Sequence, residues 1–458
     1  MPSMTPSEPE AQGRLRRRAR TVTILTGVAL LGLSMSFSWE LSHSHVTSVL
    51  PARPQRGRIV MADGTALATT LGAQRRYPQA QLAGALTGFA GTDGAGLEGV
   101  ERAWDDVLRV GGDVRLTIEP TAQRAAEAAL TQAVRDEGAQ WGAAVVLDTR
   151  TGRVLALAGA PAFDPGAWPS RPPTAWRLRP VLETYEPGSV IKALTVASLL
   201  NERRTTRARM HDAPMRRAVG GASIGDAVPH PARLSTQGIL RYSSNVGMTH
   251  LVEGLTATEL SGYFRRFGLG QPAPLGPLPS PAGVLGDPAA WGVLGRATRA
   301  FGQGLTVNTV QLAAAFNVIA NDGRYVPPQL FEPAMPAAPT AVLRPAVARE
   351  MRAMLHAVVD DALKGRAVAP GYHAGGKTGT AQVAARGGYS PDVFTSTFAG
   401  FFPAERPRVT IAVAVRGARR HYQGSQLAAP LFQTITSELA ASWALPPEVE
   451  ARPAAPPP

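Results

Sequence analysis

The sequence predicts a domain of the α+β or α/β class with an antiparallel sheet, set behind one amino-terminal membrane span. Three observations lead there. Val114–Ala158 reads as strand, helix and then two strands joined by the turn-forming run Asp148-Thr149-Arg150-Thr151-Gly152. Three further apolar, strand-like runs, Ala374–Gln382, Thr395–Phe402 and Val409–Val415, follow near the carboxy terminus and lead into a helix over Gln426–Leu439. Thr21–Trp39 is an apolar run without a single charge, long enough as a helix to cross a bilayer.

Taken in order, Arg14, Arg16, Arg17, Arg18 and Arg20 precede the apolar run and Trp39 closes it. Positive-inside bias then puts residues 1–20 in the cytoplasm, 21–39 in the membrane, and everything after Glu40 outside. A cleaved signal peptide is the other reading, but no A-x-A site follows and the run is longer than a signal core. Leu41–Gln55 is a polar linker. Arg56–Ala68 reads as two short strands around Asp63-Gly64. In the early helix, Pro120 marks the start and Gly138 the stop. Asn201–Arg241 is polar, basic and turn-rich, and is expected as a loop-rich insertion. Thr309–Ala320 predicts an apolar helix stopped at Asn321-Asp322-Gly323, and Val347–Leu363 an amphipathic one stopped at Gly365. Pro446–Pro458 is Pro-rich and expected to be disordered.

The 458 residues are 44% hydrophobic, enough for a sizeable core, and carry a net charge of +13. The basic excess is scattered arginine without aromatic interleaving or a finger or RNP-type motif, so nucleic acid is not an expected partner. With no cysteine, disulfides and thiolate metal sites are excluded.

The chemistry concentrates at Tyr185–Leu200. Pro187-Gly188 makes a turn, and from Ser189 the apolar positions Val190, Ile191, Leu194, Val196, Ala197, Leu199 and Leu200 leave almost no polar face. Ser189 and Lys192 stand one helical turn apart on one face, so hydroxyl and amine can meet. A buried amine favours its neutral form and can take the serine proton. S-x-x-K alone also fits a cap serine with a surface lysine. The chain, however, holds only 3 lysines against 44 arginines, and arginine cannot give up its proton. Two more motifs follow in order along the chain. Ser243-Ser244-Asn245 is an S-x-N, and Lys377-Thr378-Gly379-Thr380 is a K-T-G-T.

This ordered trio is that of penicillin-binding proteins and class A β-lactamases. The chain resembles a class B, monofunctional penicillin-binding protein, a peptidoglycan D,D-transpeptidase. The likeness extends to Arg56–Ala68, although Met61-Ala62 stands where that family usually has an acidic-basic pair. It implies an α+β transpeptidase fold over residues 113–445, with an antiparallel sheet flanked by helices and a helical half. A short pedestal over residues 40–112 would stand between it and the membrane. It also implies roles: Ser189 as nucleophile, Lys192 as its base, Ser243 as proton relay, Asn245 as a clamp on Lys192 and a substrate carbonyl. Lys377 would stay charged, Thr378 and Thr380 would bind the substrate carboxylate, and Gly379 would let the strand approach. Backbone N–H groups of Ser189 and Thr380 would make the oxyanion hole. The implied partners are D-Ala-D-Ala stem peptides, β-lactams and a SEDS-type glycosyltransferase, in division or elongation. An anchored D,D-carboxypeptidase, a β-lactamase and a non-enzymatic β-lactam sensor or scaffold are the alternatives.

Two other motifs are rejected. Gly94–Gly99 fits G-x-G-x-x-G, but turn formers precede it where a strand is needed. Gly371–Thr378 fits the phosphate-loop pattern, but Thr378–Val383 reads as strand where a helix must open. No cofactor is expected. No H-E-x-x-H occurs among the eight histidines, so no metal site is expected either.

Overall fold

A computed structural model describes residues 8–43, 55–333, 338–385 and 387–448 of the chain. It divides into two compact units, residues 1–53 and 54–458.

The first unit is the helix Glu8–His43. Val22, Ile24, Leu25, Val28, Leu30, Leu31, Leu33 and Met35 are all exposed on it. The hydroxyls of Thr21, Thr23, Thr26 and Ser34 donate back to carbonyls three or four residues earlier, so these polar groups are satisfied within the helix. Side chains of residues 36–43 lie outside the described residues, among them the end of the expected 21–39 span. Among the described residues no helix is long and apolar enough to cross a membrane.

The second unit is built on a five-stranded, wholly antiparallel sheet. Its spatial order is Gly375–Ala385, Gly388–Phe402, Val409–Arg416, Trp141–Asp148, Val154–Ala160. Successive residues of a strand face opposite sides, and here both sides are dry. Ala144, Val146, Ile411, Val413, Phe398 and Phe402 pack with the helices Pro120–Asp136 and Ala428–Ser442. Val145, Leu147, Ala399, Phe401, Ala412 and Ala414 face the helix Thr309–Ala320, every residue of which is buried. Three layers follow, as expected for an α+β domain with a helical half. A fully buried Leu, Ile, Val or Phe contributes roughly 1.5–3 kcal/mol, so this double-sided burial is the main source of stability.

The segment expected as a pedestal shares its sheet with the rest of the unit. Ile59–Val60, Ala66–Leu71 and Gln74–Arg76 pair in a second five-stranded sheet with Val114–Leu116 and Phe331–Glu332. The fully buried Glu101 holds it together by accepting from Arg56 at 2.7 Å and Arg75 at 2.6 Å. No break in the fold falls at residue 112.

Residues 201–241 are more ordered than their composition suggested. Arg216–Val219 and Ala222–Gly225 form a tight hairpin, and Met210–Asp212 pairs antiparallel with Arg233–Ser235. The hairpin turns on Gly220-Gly221, both at positive φ, the conformation a two-residue primed turn demands. At the carboxy end, Glu448 donates its N–H to the Gly371 carbonyl at 2.8 Å, inside the stretch expected to be disordered. Residues 449–458 lie outside the described ones.

Candidate active site

Ser189 sits in a single 3₁₀ turn, Gly188–Val190, at the head of the helix Ile191–Asn201. Gly188 has φ 63°, and a β-carbon there would lie 3.2–3.3 Å from backbone atoms of Thr380. Only glycine turns this corner so close to the edge strand. Residues Ile191–Leu200 are all buried, Lys192 included, so the predicted all-round apolar helix forms. Ser189 itself is half-buried and reachable.

Lys192, without exposed surface, donates to the Ser243 carbonyl, to Asn245 Oδ1 at 2.8 Å and to Ser243 Oγ at 3.2 Å. Lys377, 2% exposed, donates to the same Ser243 Oγ at 3.1 Å and to the Thr378 carbonyl at 3.1 Å. Ser243 caps the helix Thr236–Tyr242 in the left-handed conformation, φ 56°, which costs a non-glycine residue roughly 1–2 kcal/mol. That corner aims its hydroxyl between the two amines. With both lone pairs accepting, the Ser243 proton is left to donate elsewhere.

Desolvation pushes the Lys192 ammonium well below its ordinary range, and the neighbouring Lys377 charge pushes it further. Desolvation also brings Lys377 down to about 7, so it titrates near neutrality where a fixed charge was expected. An arriving carboxylate would favour the charged form again.

Lys377 belongs to the edge strand Gly375–Ala385, and the pleat puts Lys377 and Gly379 on one face, Thr378 and Thr380 on the other. A β-carbon on Gly379 would fall 2.4 Å from the Pro187 carbonyl oxygen and 3.3 Å from the Ser189 nitrogen. The strand can therefore reach the serine turn only with glycine at 379. Thr380 Oγ1 accepts from Gly424 N–H at 2.9 Å, which leaves its own proton for an anion. Since this segment is an antiparallel edge strand, Gly371–Thr378 is no phosphate loop.

Of the eight predicted residues, Lys192, Ser243, Asn245 and Lys377 are thus joined by hydrogen bonds, and Lys377 Nζ reaches Thr378 Oγ1 at 3.5 Å. Gly379 brings the strand, and Thr380 with it, against the Ser189 turn, while the Ser189 hydroxyl makes no hydrogen bond to Lys192. Sequence reasoning missed two others. Asp226, at the end of the 216–225 hairpin, accepts from Ser244 Oγ and Asn245 N–H, each at 2.5 Å, and from Val246 N–H at 3.1 Å. His230 Nε2 lies 2.8 Å away, and both side chains are nearly or wholly buried. Asn245 Nδ2 meanwhile donates to the Gly225 carbonyl at 3.3 Å. The hairpin therefore fixes the helix start that presents Asn245 to Lys192. Glu186, beside the serine turn, accepts from Gly304 N–H at 2.8 Å and Tyr389 O–H at 3.1 Å. It ties the strand after the K-T-G strand to the turn. Its place in E-P-G-S was the available signal. Asp226 offered none, because it lies outside all three motifs, in a polar run that reads as loop.

Asp226→Ala should strand two buried N–H groups and cost roughly 3 kcal/mol of stability. Misplacement of Asn245 should slow acylation of Ser189 on the order of 10²-fold. Asp226→Asn, which keeps one acceptor oxygen, should recover part of both in thermal melts and acylation kinetics.

Residues 142–437 match the family model for the penicillin binding protein transpeptidase domain. The chain belongs to that family. A probable peptidoglycan D,D-transpeptidase of Pseudomonas aeruginosa, PbpC, is 33% identical over 406 residues, which cover 82% of this chain and 72% of that protein. The peptidoglycan D,D-transpeptidase FtsI of Escherichia coli K12 is 30% identical, over 79% of this chain and 66% of that one. Among solved structures, apo penicillin binding protein 3 of Mycobacterium tuberculosis superposes with TM-score 0.82 at 31% identity, covering 87% of this chain and 98% of that one. As a class B penicillin-binding protein, the chain carries its family's three motifs in one cleft.

Proposed function

We propose that this protein is a serine D,D-transpeptidase that cross-links peptidoglycan stem peptides through an acyl-enzyme on Ser189. The observation that carries the reading is the pair of buried lysines sharing the Ser243 hydroxyl, at 3.2 and 3.1 Å. Ser189 Oγ attacks the carbonyl between the two D-Ala residues and passes its proton to neutral Lys192. Backbone N–H groups of Ser189 and Thr380 hold the oxyanion, in keeping with the close approach of Gly188 and Gly379. The C–N bond breaks, and the departing D-Ala amine takes a proton through Ser243. An amine of a second stem then attacks the ester, and Ser189 recovers its proton. Thr378, Thr380 and charged Lys377 receive the terminal carboxylate.

The same reading places the catalytic unit outside the cytoplasmic membrane on a single anchor. A helix of about 20 residues at 1.5 Å each spans roughly 30 Å, and internally bonded hydroxyls suit such a helix. Five arginines ahead of it favour an inside amino terminus. A SEDS-type glycosyltransferase is the partner this reading assigns to the anchor and residues 40–112.

A β-lactam enters as a substrate whose leaving group stays tethered. Release then needs a base that activates water. Residues 271–290, where a class A β-lactamase holds its deacylating Glu, contain no Glu; their one acid, Asp287, is exposed and caps the turn Pro288–Ala290. The penicilloyl adduct on Ser189 should therefore survive denaturing electrophoresis, with negligible turnover of a chromogenic cephalosporin. Sustained turnover that disappears in Ser189→Ala would overturn the transpeptidase reading.

A further inference from the structure

Near the start of the edge strand, three metal-ligating side chains converge from two elements. His356 and Asp360 stand one turn apart on the helix Pro345–Leu363, with His356 Nε2 3.4 Å from Asp360 Oδ2. His373, from the loop entering the K-T-G strand, crosses the His356 ring edge-on at 4.8 Å between centroids. One ligand atom from each residue lies within 4.8 Å of the others. Zinc bonds of about 2.0–2.1 Å in tetrahedral array put ligand atoms roughly 3.3 Å apart. The His356–Asp360 pair already has that spacing, and a small rotation of the His373 side chain completes a three-ligand set.

Two further contacts prepare these ligands. His356 Nδ1 lies 3.2 Å from the Ala374 carbonyl, to which it donates as N–H, leaving the Nε2 lone pair toward Asp360. Metal-binding imidazoles commonly carry such an outer bond, which selects the tautomer and orients the ring. The His373 backbone N–H donates to Glu448 Oε2 at 2.8 Å, so a second carboxylate anchors the loop that presents the ring. All three ligand side chains are partly exposed, which gives an ion an entry path.

We propose that His356, Asp360 and His373 form a zinc site that fastens the helix Pro345–Leu363 to the loop leading into the K-T-G strand. Two imidazoles and one carboxylate suit zinc better than calcium or magnesium, which take oxygen ligands. A fourth position remains for water. His373 precedes Lys377 by one short stretch of chain, so the ion clips the start of the strand on which that lysine is carried. It takes no part in the chemistry of Ser189.

Full-length protein stripped with a chelator should bind one zinc per chain in equilibrium dialysis. Zinc alone should raise its melting temperature in a concentration-dependent manner, because the ion binds the folded state. Cobalt(II) in the same site should give the visible absorption of a tetrahedral centre. His373→Ala and His356→Ala should each weaken zinc binding at least about 100-fold and lose both signals, whereas Ser189→Ala should keep them. Asp360→Asn, at an exposed position, supplies the comparison should either histidine variant fail to fold. Zinc binding unchanged in the histidine and Asp360 variants, or the absence of stoichiometric zinc on the wild-type protein, would overturn the proposal. Neither result would touch the assignment of Ser189.

Discussion

Ser189→Ala is expected to lose all covalent labelling by a fluorescent penicillin, a fall of roughly 10⁴-fold or more in acylation. The hydroxyl makes no hydrogen bond among the described residues, and Ser189 is half-buried between the buried Gly188 and Val190. Its removal should leave the melting temperature within about 1 °C, since few packing contacts are lost. The neighbouring serines provide the control. Ser244 is wholly buried, caps the helix Asn245–Leu251 through Gly247 N–H, and is bound to Asp226. It cannot take over as nucleophile. Covalent label on the Ser189→Ala protein would show that the wrong serine had been chosen.

The two active-site lysines should respond to replacement by arginine to very different degrees. Lys192→Arg is expected to cut acylation by roughly 10²–10⁴-fold, about what a general base supplies, because guanidinium keeps its proton at any working pH. The larger head must also enter a fully packed site, at a cost of roughly 1–3 kcal/mol. Lys377→Arg should retain measurable acylation, since it preserves the positive charge, with geometry lowering the rate. The pH profile separates the roles further. For the free enzyme, acylation needs neutral Lys192 and charged Lys377, so the rate should fall as pH rises through about 7, where Lys377 loses its proton. That basic limb should vanish in Lys377→Arg. Equal loss in both variants, or an unchanged basic limb, would argue against distinct roles. Stability should move the other way. Between about 7 and 10.5 the unfolded chain holds a proton on Lys377 that the folded chain lacks, so this lysine makes the fold more stable as pH rises through that window.

The serine helix, the strand runs and the ordered trio were legible in the amino-acid sequence because each rests on local rules. Periodicity places apolar residues on a helix, alternation or continuous runs mark strands, and Gly or Pro marks their ends. The scarcity of lysine also pointed at Lys192 and Lys377 before any geometry was known. Tertiary structure alone decided what those lysines touch. The sharing of one hydroxyl, the tie of Asp226 to the start of the Asn245 helix and the brace from Glu186 to Tyr389 join residues 18 to 203 positions apart. The meeting of His373 with His356 and Asp360, 17 and 13 positions away, was likewise decided by how a loop folds back on a helix. Composition misjudged residues 201–241 for the same reason: a polar hairpin is held in place by what it binds across the fold. Local periodicity records which face of an element is apolar. The partner brought to that face depends on how distant elements pack, and with it the depressed pKa values on which the chemistry of the cleft rests.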